Sequence, residues 1–143
     1  MARLQVQRGV VDEARATLEQ AVAASPSDGM LHQSLGNILV MAEENSEAVA
    51  PLEKAARLMP DDAAVAADLG VVLSNLGEHG RAVEVLQEVT GSMAETADTL
   101  YALIVSLAAQ GDLAAAESIV HNLETDYPAS PLGRQAKRLV SER

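Results

Sequence analysis

The side chains of this 143-residue chain best suited to proton transfer or metal binding are three histidines and two carboxylate clusters. His32, His79 and His121 sit at unrelated positions along the chain, and none has a carboxylate at metal-ligand spacing beside it. A transition-metal site needs several such donors converging on one point, so each histidine reads as a packing or surface residue. Glu43, Glu44 and Glu47 form one acidic cluster, and Asp61 with Asp62 forms the other. Paired carboxylates can divide acid and base roles. These pairs, however, fall where helices begin or end, and there a carboxylate caps free amides and favours the helix dipole. There is no cysteine, no Gly-rich phosphate loop and no nucleophile elbow. The expectation is a chain with no catalytic residue, no metal and no cofactor.

The elements that would carry these residues are set by a repeat. Pro26 and Pro60 are 34 residues apart, and Pro128 lies twice that distance further on, with Ala94 at the vacant midpoint. Ala14, Ala48, Ala82 and Ala116 share the period. So do Leu18, Leu52, Leu86 and Val120, and then Ala21, Ala55, Val89 and Leu123. Leu35, Leu69 and Leu103 keep it, as do Leu39, Leu73 and Leu107. Gly9, Gly77 and Gly111 fall in one column, with Glu43 in the fourth place. Within each period the apolar residues step as they do along a helix face. Gly ends a first helix and Pro ends a second. Ser27, Asp28, Asp61 and Asp62 offer caps, and Ser130-Pro131 opens a last helix. The pattern predicts helices over 12–24, 29–43, 46–58, 62–76, 79–90, 96–110, 113–125 and 131–142. The turn around Gly91, Ser92 and Met93 is expected to be looser, because Ala94 replaces proline.

Leu35-Gly36, Leu39, Ala48, Leu52, Ala55 and Pro60 stand in the order and spacing of the tetratricopeptide (TPR) signature, and the chain resembles that family over about residues 1–128. His32, Ala66 and Leu100 stand where the family often has Trp, and Leu39, Leu73 and Leu107 where it often has Tyr. The resemblance implies an all-α fold: an α-solenoid of helix–turn–helix repeats wound as a right-handed superhelix, closed by a C-terminal capping helix. One TPR domain over 1–143 is expected, with a partial repeat at 1–28, repeats at 29–62, 63–96 and 97–130, and a cap at 131–142. The first repeat begins in mid-repeat, so either an N-terminal portion is missing or that end is covered by something else.

The family implies function without catalysis, as a scaffold or adaptor that binds a peptide or helix segment in its concave groove. The alternatives are a self-associating assembly module and a recognition fragment of a larger protein. The first helices of the repeats should line the groove. The stripe opposite the core holds Met30, Gln33, Ser34, Asn37 and Met41, then Ala64, Ala67, Asp68, Val71 and Asn75, then Asp98, Tyr101, Ala102, Val105 and Ala109. The candidate contacts are Met30, Gln33, Asn37, Met41, Asp68, Val71, Asn75, Asp98, Tyr101 and Val105, with Asn37, Val71 and Tyr101 at the centre. Some TPR proteins grip an acidic C-terminal peptide with Lys, Arg and Asn. Here Asn37 alone matches, while Asp68 and Asp98 would repel such a ligand. The partner should be neutral to basic with an apolar side.

The formal net charge of −11 argues against nucleic acid and anionic membranes as partners. No apolar run is long enough for a membrane span, and Met1 to Gly9 is not a signal peptide. A soluble protein is expected, and its compartment, cytoplasmic or periplasmic, is left open. The charge is uneven: Arg134, Lys137, Arg138 and Arg143 give the last ten residues four of the ten basic groups. The N-terminal helix should expose Val10, Val11, Ala14 and Leu18, which points to a homodimer through that end.

Overall fold

The computed structural model describes residues 2–142, and side chains over 7–142. These form eight α-helices: α1 (Ala2–Ala24), α2 (Gly29–Met41), α3 (Asn45–Leu58), α4 (Ala63–Asn75), α5 (His79–Val89), α6 (Ala97–Ala109), α7 (Leu113–Asp126) and α8 (Leu132–Ser141). No strand occurs among the described residues. The chain divides into two compact units, Met1–Val65 and Ala66–Arg143, with the boundary in the first turn of α4.

In the first unit, α1 packs on α2 and α2 on α3. The α2–α3 contact is close because Gly36 has no side chain. A Cβ there would lie 2.5 Å from Leu52 Cγ, inside any permitted separation. Leu52, Ala48 and Ala55 are fully buried beside it. His32 fills the place where the family often has Trp. It is 8 % exposed, and its Nε2 donates to the Pro26 carbonyl at 2.8 Å, so its polar edge is satisfied. Leu35 is only half-buried, unlike Leu69 and Leu103 in the same column.

The second unit repeats the device. A Cβ on Gly70 would lie 2.6 Å from Leu86 Cγ and Cδ2, which sets α4 against α5. Then α5 packs on α6, α6 on α7, and α8 on both α6 and α7. Eight of the thirteen residues of α6 are buried.

The turns between paired helices are uniform. After α2, α4 and α6 the chain takes one left-handed residue: Glu43 (φ 62°), Gly77 (φ 81°) and Gly111 (φ 83°). Each turn closes with the same two bonds, Glu43 N to Val40 O and Glu44 N to Leu39 O after α2, Gly77 N to Ser74 O and Glu78 N to Leu73 O after α4, and Gly111 N to Ala108 O and Asp112 N to Leu107 O after α6. These bonds satisfy carbonyls that the helix end would leave open.

The first column member departs from the expected pattern. Gly9 ends no helix, and α1 runs unbroken from Ala2 instead of beginning near residue 12. Among the described residues no preceding helix folds back at this point, so nothing rewards a turn there and the chain simply continues its helical hydrogen bonding. At the other end, Pro131 occupies the cap of α8 instead of its first position, and Ser130 Oγ accepts from Leu132 N at 3.2 Å. Asp28 caps α2 and Asp62 Oδ1 accepts from Ala64 N and Val65 N, as expected; Ser27 contributes no cap.

The turn lacking proline is firmly held. Gly91 N donates to Glu95 Oε2 at 2.7 Å, Ser92 Oγ to Val89 O at 2.6 Å, and Ala94 N to Ser92 Oγ at 3.2 Å. Tyr127 Oη donates to the carbonyl and carboxylate of Glu95, both at 3.2 Å. Side-chain bonds replace the stiffness that proline supplies elsewhere. Burial, then the Glu95 hydrogen bond, raises the Tyr127 phenol above its ordinary value of 10.0. A phenol raised on folding contributes its full stability below that ordinary value, and the contribution is lost as pH rises through the folded value. The stability of wild type relative to Tyr127→Phe should therefore fall as the pH rises above 10, which a pH series of thermal melts on the two proteins would show.

Two further outcomes follow from the backbone. Glu43→Gly should stabilise the chain by about 1 kcal/mol by relieving a left-handed non-glycine residue. A rise in the midpoint of thermal unfolding checks it. Gly36→Leu and Ala48→Leu should each cost about 1–3 kcal/mol or more through overpacking. An unchanged midpoint would contradict the assigned helix faces.

Candidate functional site

The candidate residues fall on three helices, and the two units present them separately. In the first unit, Met30 and Met41 at either end of α2 are 68 % and 69 % exposed. Gln33 and Asn37 between them are half-buried. The spacing puts the four on one face, which is apolar at its ends and amide-bearing in the middle.

In the second unit, α4 and α6 carry the rest. Asp68, Val71, Tyr101 and Val105 are half-buried, and Asn75 and Asp98 are exposed. Neither helix contains a basic residue. Half-buried apolar groups beside two carboxylates give the face its character. Two alanines expected on this open stripe are not open: Ala67 is 8 % and Ala102 is 7 % exposed. At Ala102 the cause is close approach of α4, whose Ser74 Oγ donates to the Ala102 carbonyl at 3.1 Å.

That bond belongs to a buried network which holds α4, α5 and α6 in register beneath the face. Ser106 Oγ donates to Ser74 Oγ at 2.9 Å, and His79 Nδ1 lies 3.1 Å from Ser106 Oγ. The hydroxyl protons of Ser74 and Ser106 are both committed, so His79 must donate from Nδ1. The neutral ring is thereby fixed as the Nδ1–H tautomer, with Nε2 left as acceptor. Ser106 is completely buried. The pattern did contain a signal for this network. Ser106 shares its column with Ile38 and Val72, and Ser74 shares its own with Val40 and Ala108. A hydroxyl in an apolar column demands a partner.

In the first unit the polar tie is Arg15. Its guanidinium meets Glu19 Oε1 at 3.0 Å, Glu44 Oε2 at 2.6 Å and Glu47 Oε2 at 3.0 Å. The hydrogen bond to Glu19 leads the causes that raise its pKa. One cation thus gathers part of the acidic cluster and pins α1 to the start of α3. No group of three or more His, Asp or Glu that could hold a metal occurs among the described residues. His121 is exposed.

Ser106→Ala should destabilise the chain by about 1–3 kcal/mol by leaving the half-buried His79 donor without its acceptor. Adding Ser74→Ala should cost less than the two single changes together, as expected for one network. Denaturant unfolding of the three variants measures both.

Comparison with known proteins agrees with this geometry. The tetratricopeptide repeat family model matches residues 1–63 and 67–131. The crystal structure of YrrB, described as a TPR protein with an unusual peptide-binding site, superposes with a TM-score of 0.81 at 26 % identity, over 95 % of this chain and 70 % of that one. A crystal structure of MamA gives a TM-score of 0.85 at 20 % identity, over 96 % of this chain and 81 % of that one. MamA 41-end from Desulfovibrio magneticus RS-1 gives 0.79 at 17 % identity, over 98 % and 87 %. At these latter identities the likeness is one of fold. No match was found among curated proteins. With 34-residue helix pairs and a family match across nearly its whole length, the chain belongs to the tetratricopeptide repeat family.

Proposed function

We propose that the chain works as one domain, a non-catalytic interaction module whose α4–α6 face binds an extended peptide or helix that is neutral to basic and apolar on one side. The observation that carries this reading is the grouping of Val71, Tyr101 and Val105 with Asp68 and Asp98 on helices devoid of cations. Apolar groups beside water favour a partner that covers them. The carboxylates select its charge and argue against an acidic tail. Tyr101 supplies a large flat contact with a polar tip. The α2 face, with Met30, Gln33, Asn37 and Met41, is a second contact surface of similar chemistry. The Asn37 amide offers a donor and an acceptor to an extended backbone. YrrB, at 26 % identity, is itself described as binding peptide. Its likeness supports the class of ligand and not its identity.

A second reading rests on α1. In the columns of Ala14, Leu18 and Ala21, the equivalents in the three later repeats are 0–7 % exposed, whereas these three are half-buried. Val10 beside them is 61 % exposed. Pairing of two α1 faces would cover the stripe and make a homodimer. Val10→Glu should then convert a dimer to monomer in sedimentation velocity, and a wild type that is monomeric at high concentration refutes this second reading.

The test of the first reading is a peptide array sorted by charge and apolar spacing, followed by affinity measurement. Basic–apolar peptides should bind and their glutamate-substituted versions should not. Tyr101→Ala should weaken binding by about 2 kcal/mol, as a hot spot does, with the melting temperature unchanged. Unchanged affinity would move the site to another face.

A further inference from the structure

Charge in this chain is segregated along the sequence. Residues 66–130 carry one basic group, Arg81, against ten acidic ones. Residues 131–143 carry four basic groups against Glu142. In α8 the division is also radial. Gly133, Ala136 and Val140 are buried against α6 and α7, while Arg134, Lys137 and Arg138 are exposed. These three stand at i, i+3 and i+4, so they share one outward face. No ion pair to them occurs among the described residues, although Arg15 and Arg81 both have carboxylate partners.

We propose that this face of α8 docks on the acidic α4–α6 face of a second copy of the chain, head to tail. The inference rests on the peptide-binding reading of that face and names an occupant for it. The argument is complementarity. A symmetric contact of α8 with α8 would set three cations against three cations. A symmetric contact of the α4–α6 faces would set Asp68 and Asp98 against themselves. A contact of α8 with the α4–α6 face joins unlike charges, and when it is heterologous and leaves its other half free it can propagate. Lys and Arg also carry apolar stems. Laid along Val71, Tyr101 and Val105, those stems meet the apolar requirement of the face while the charged heads reach Asp68 and Asp98. The contact is solvent-accessible and built on exposed charges, so it is weak and salt-dependent. Occupation by a second copy would hold the face closed until a peptide of higher affinity displaces it.

The experiment is sedimentation velocity and equilibrium on the full chain at about 25 mM and about 300 mM salt, a range over which screening of exposed charges rises steeply. Wild type should self-associate at low salt, and its association constant should fall at least tenfold at high salt. The triple variant Arg134→Glu/Lys137→Glu/Arg138→Glu should be monomeric, as should Asp98→Lys. Arg134→Gln/Lys137→Gln/Arg138→Gln and Asp98→Asn, gentler on the fold, should each weaken association. An equimolar mixture of the triple variant and Asp98→Lys should form a one-to-one pair that grows no further, because one intact α8 then meets one intact acidic face. A wild type that is monomeric at low salt and high concentration overturns the proposal, as does association that ignores all these variants, or that is abolished by Val10→Glu. The triple variant keeps the acidic face. If it binds the basic–apolar peptides while wild type shows no self-association, the occupant is wrong and the peptide reading survives. If it binds none of them, the peptide reading fails as well.

Discussion

Everything in this fold depends on how near two antiparallel helices can come. The limit is set at two sites by the absence of one carbon atom. Gly36 lets Leu52 sit against the α2 backbone, and Gly70 does the same for Leu86. Close approach allows Ala48, Ala55 and Ala82 to be fully buried, although alanine offers little area of its own. A core without Trp or Phe has no large rings to fill wide spaces. It compensates by closing the spaces, since dispersion falls away with small gaps. The third pair shows how far this rule bends. Ile104 stands where Gly36 and Gly70 stand, and it is fully buried, with the smaller Val120 taking the Leu52 column. Val gives up one carbon where Ile adds four, so this pair is bulkier than the other two and does not share their Gly-to-Leu contact.

This constraint explains why so much of the fold was legible. Helix pairs, their turns and the columns that become core are all written at a 34-residue period. Position-specific chemistry supports them: Gly77 and Gly111 take the left-handed turn, and Asp28, Asp62 and Asp112 cap the helices that follow. Even Glu43 was placed correctly by its column, because the neighbouring turns require a left-handed residue whatever its type. The failures fall where the period gives no instruction. At Gly9 the column predicts a turn, but a turn forms only if a helix lies on its far side to pack against. At Ala94 the missing proline suggested slack. The compensation comes from Glu95, Ser92 and the distant Tyr127, none of which is a repeat position.

The candidate face was legible in outline and misjudged in depth. Met30 and Met41 are as open as helical spacing implies, but Ala67 and Ala102 are covered. Periodicity fixes direction around a helix. It does not fix how far a neighbouring helix reaches over the flank. Here the reach of α4 toward α6 is set by the Ser74–Ser106 pair, a side-chain interaction outside the apolar pattern. Such buried hydroxyl contacts add little net stability, but they penalise every misaligned packing in which a donor is left alone. Apolar columns alone would let α4 and α6 slide by a fraction of a turn. Ser106, wholly buried and bonded on both sides, forbids it.

Register bears on the proposed binding because the face above the network is made of side chains from two helices. Val71 with Asp68, and Tyr101 with Asp98, can act as one surface only if α4 and α6 keep a fixed offset. A ligand binding across both helices gains from a site that is already assembled, since it spends none of its interaction energy on ordering it. The Ser74–Ser106–His79 chain is therefore the structural support of the acidic, apolar face.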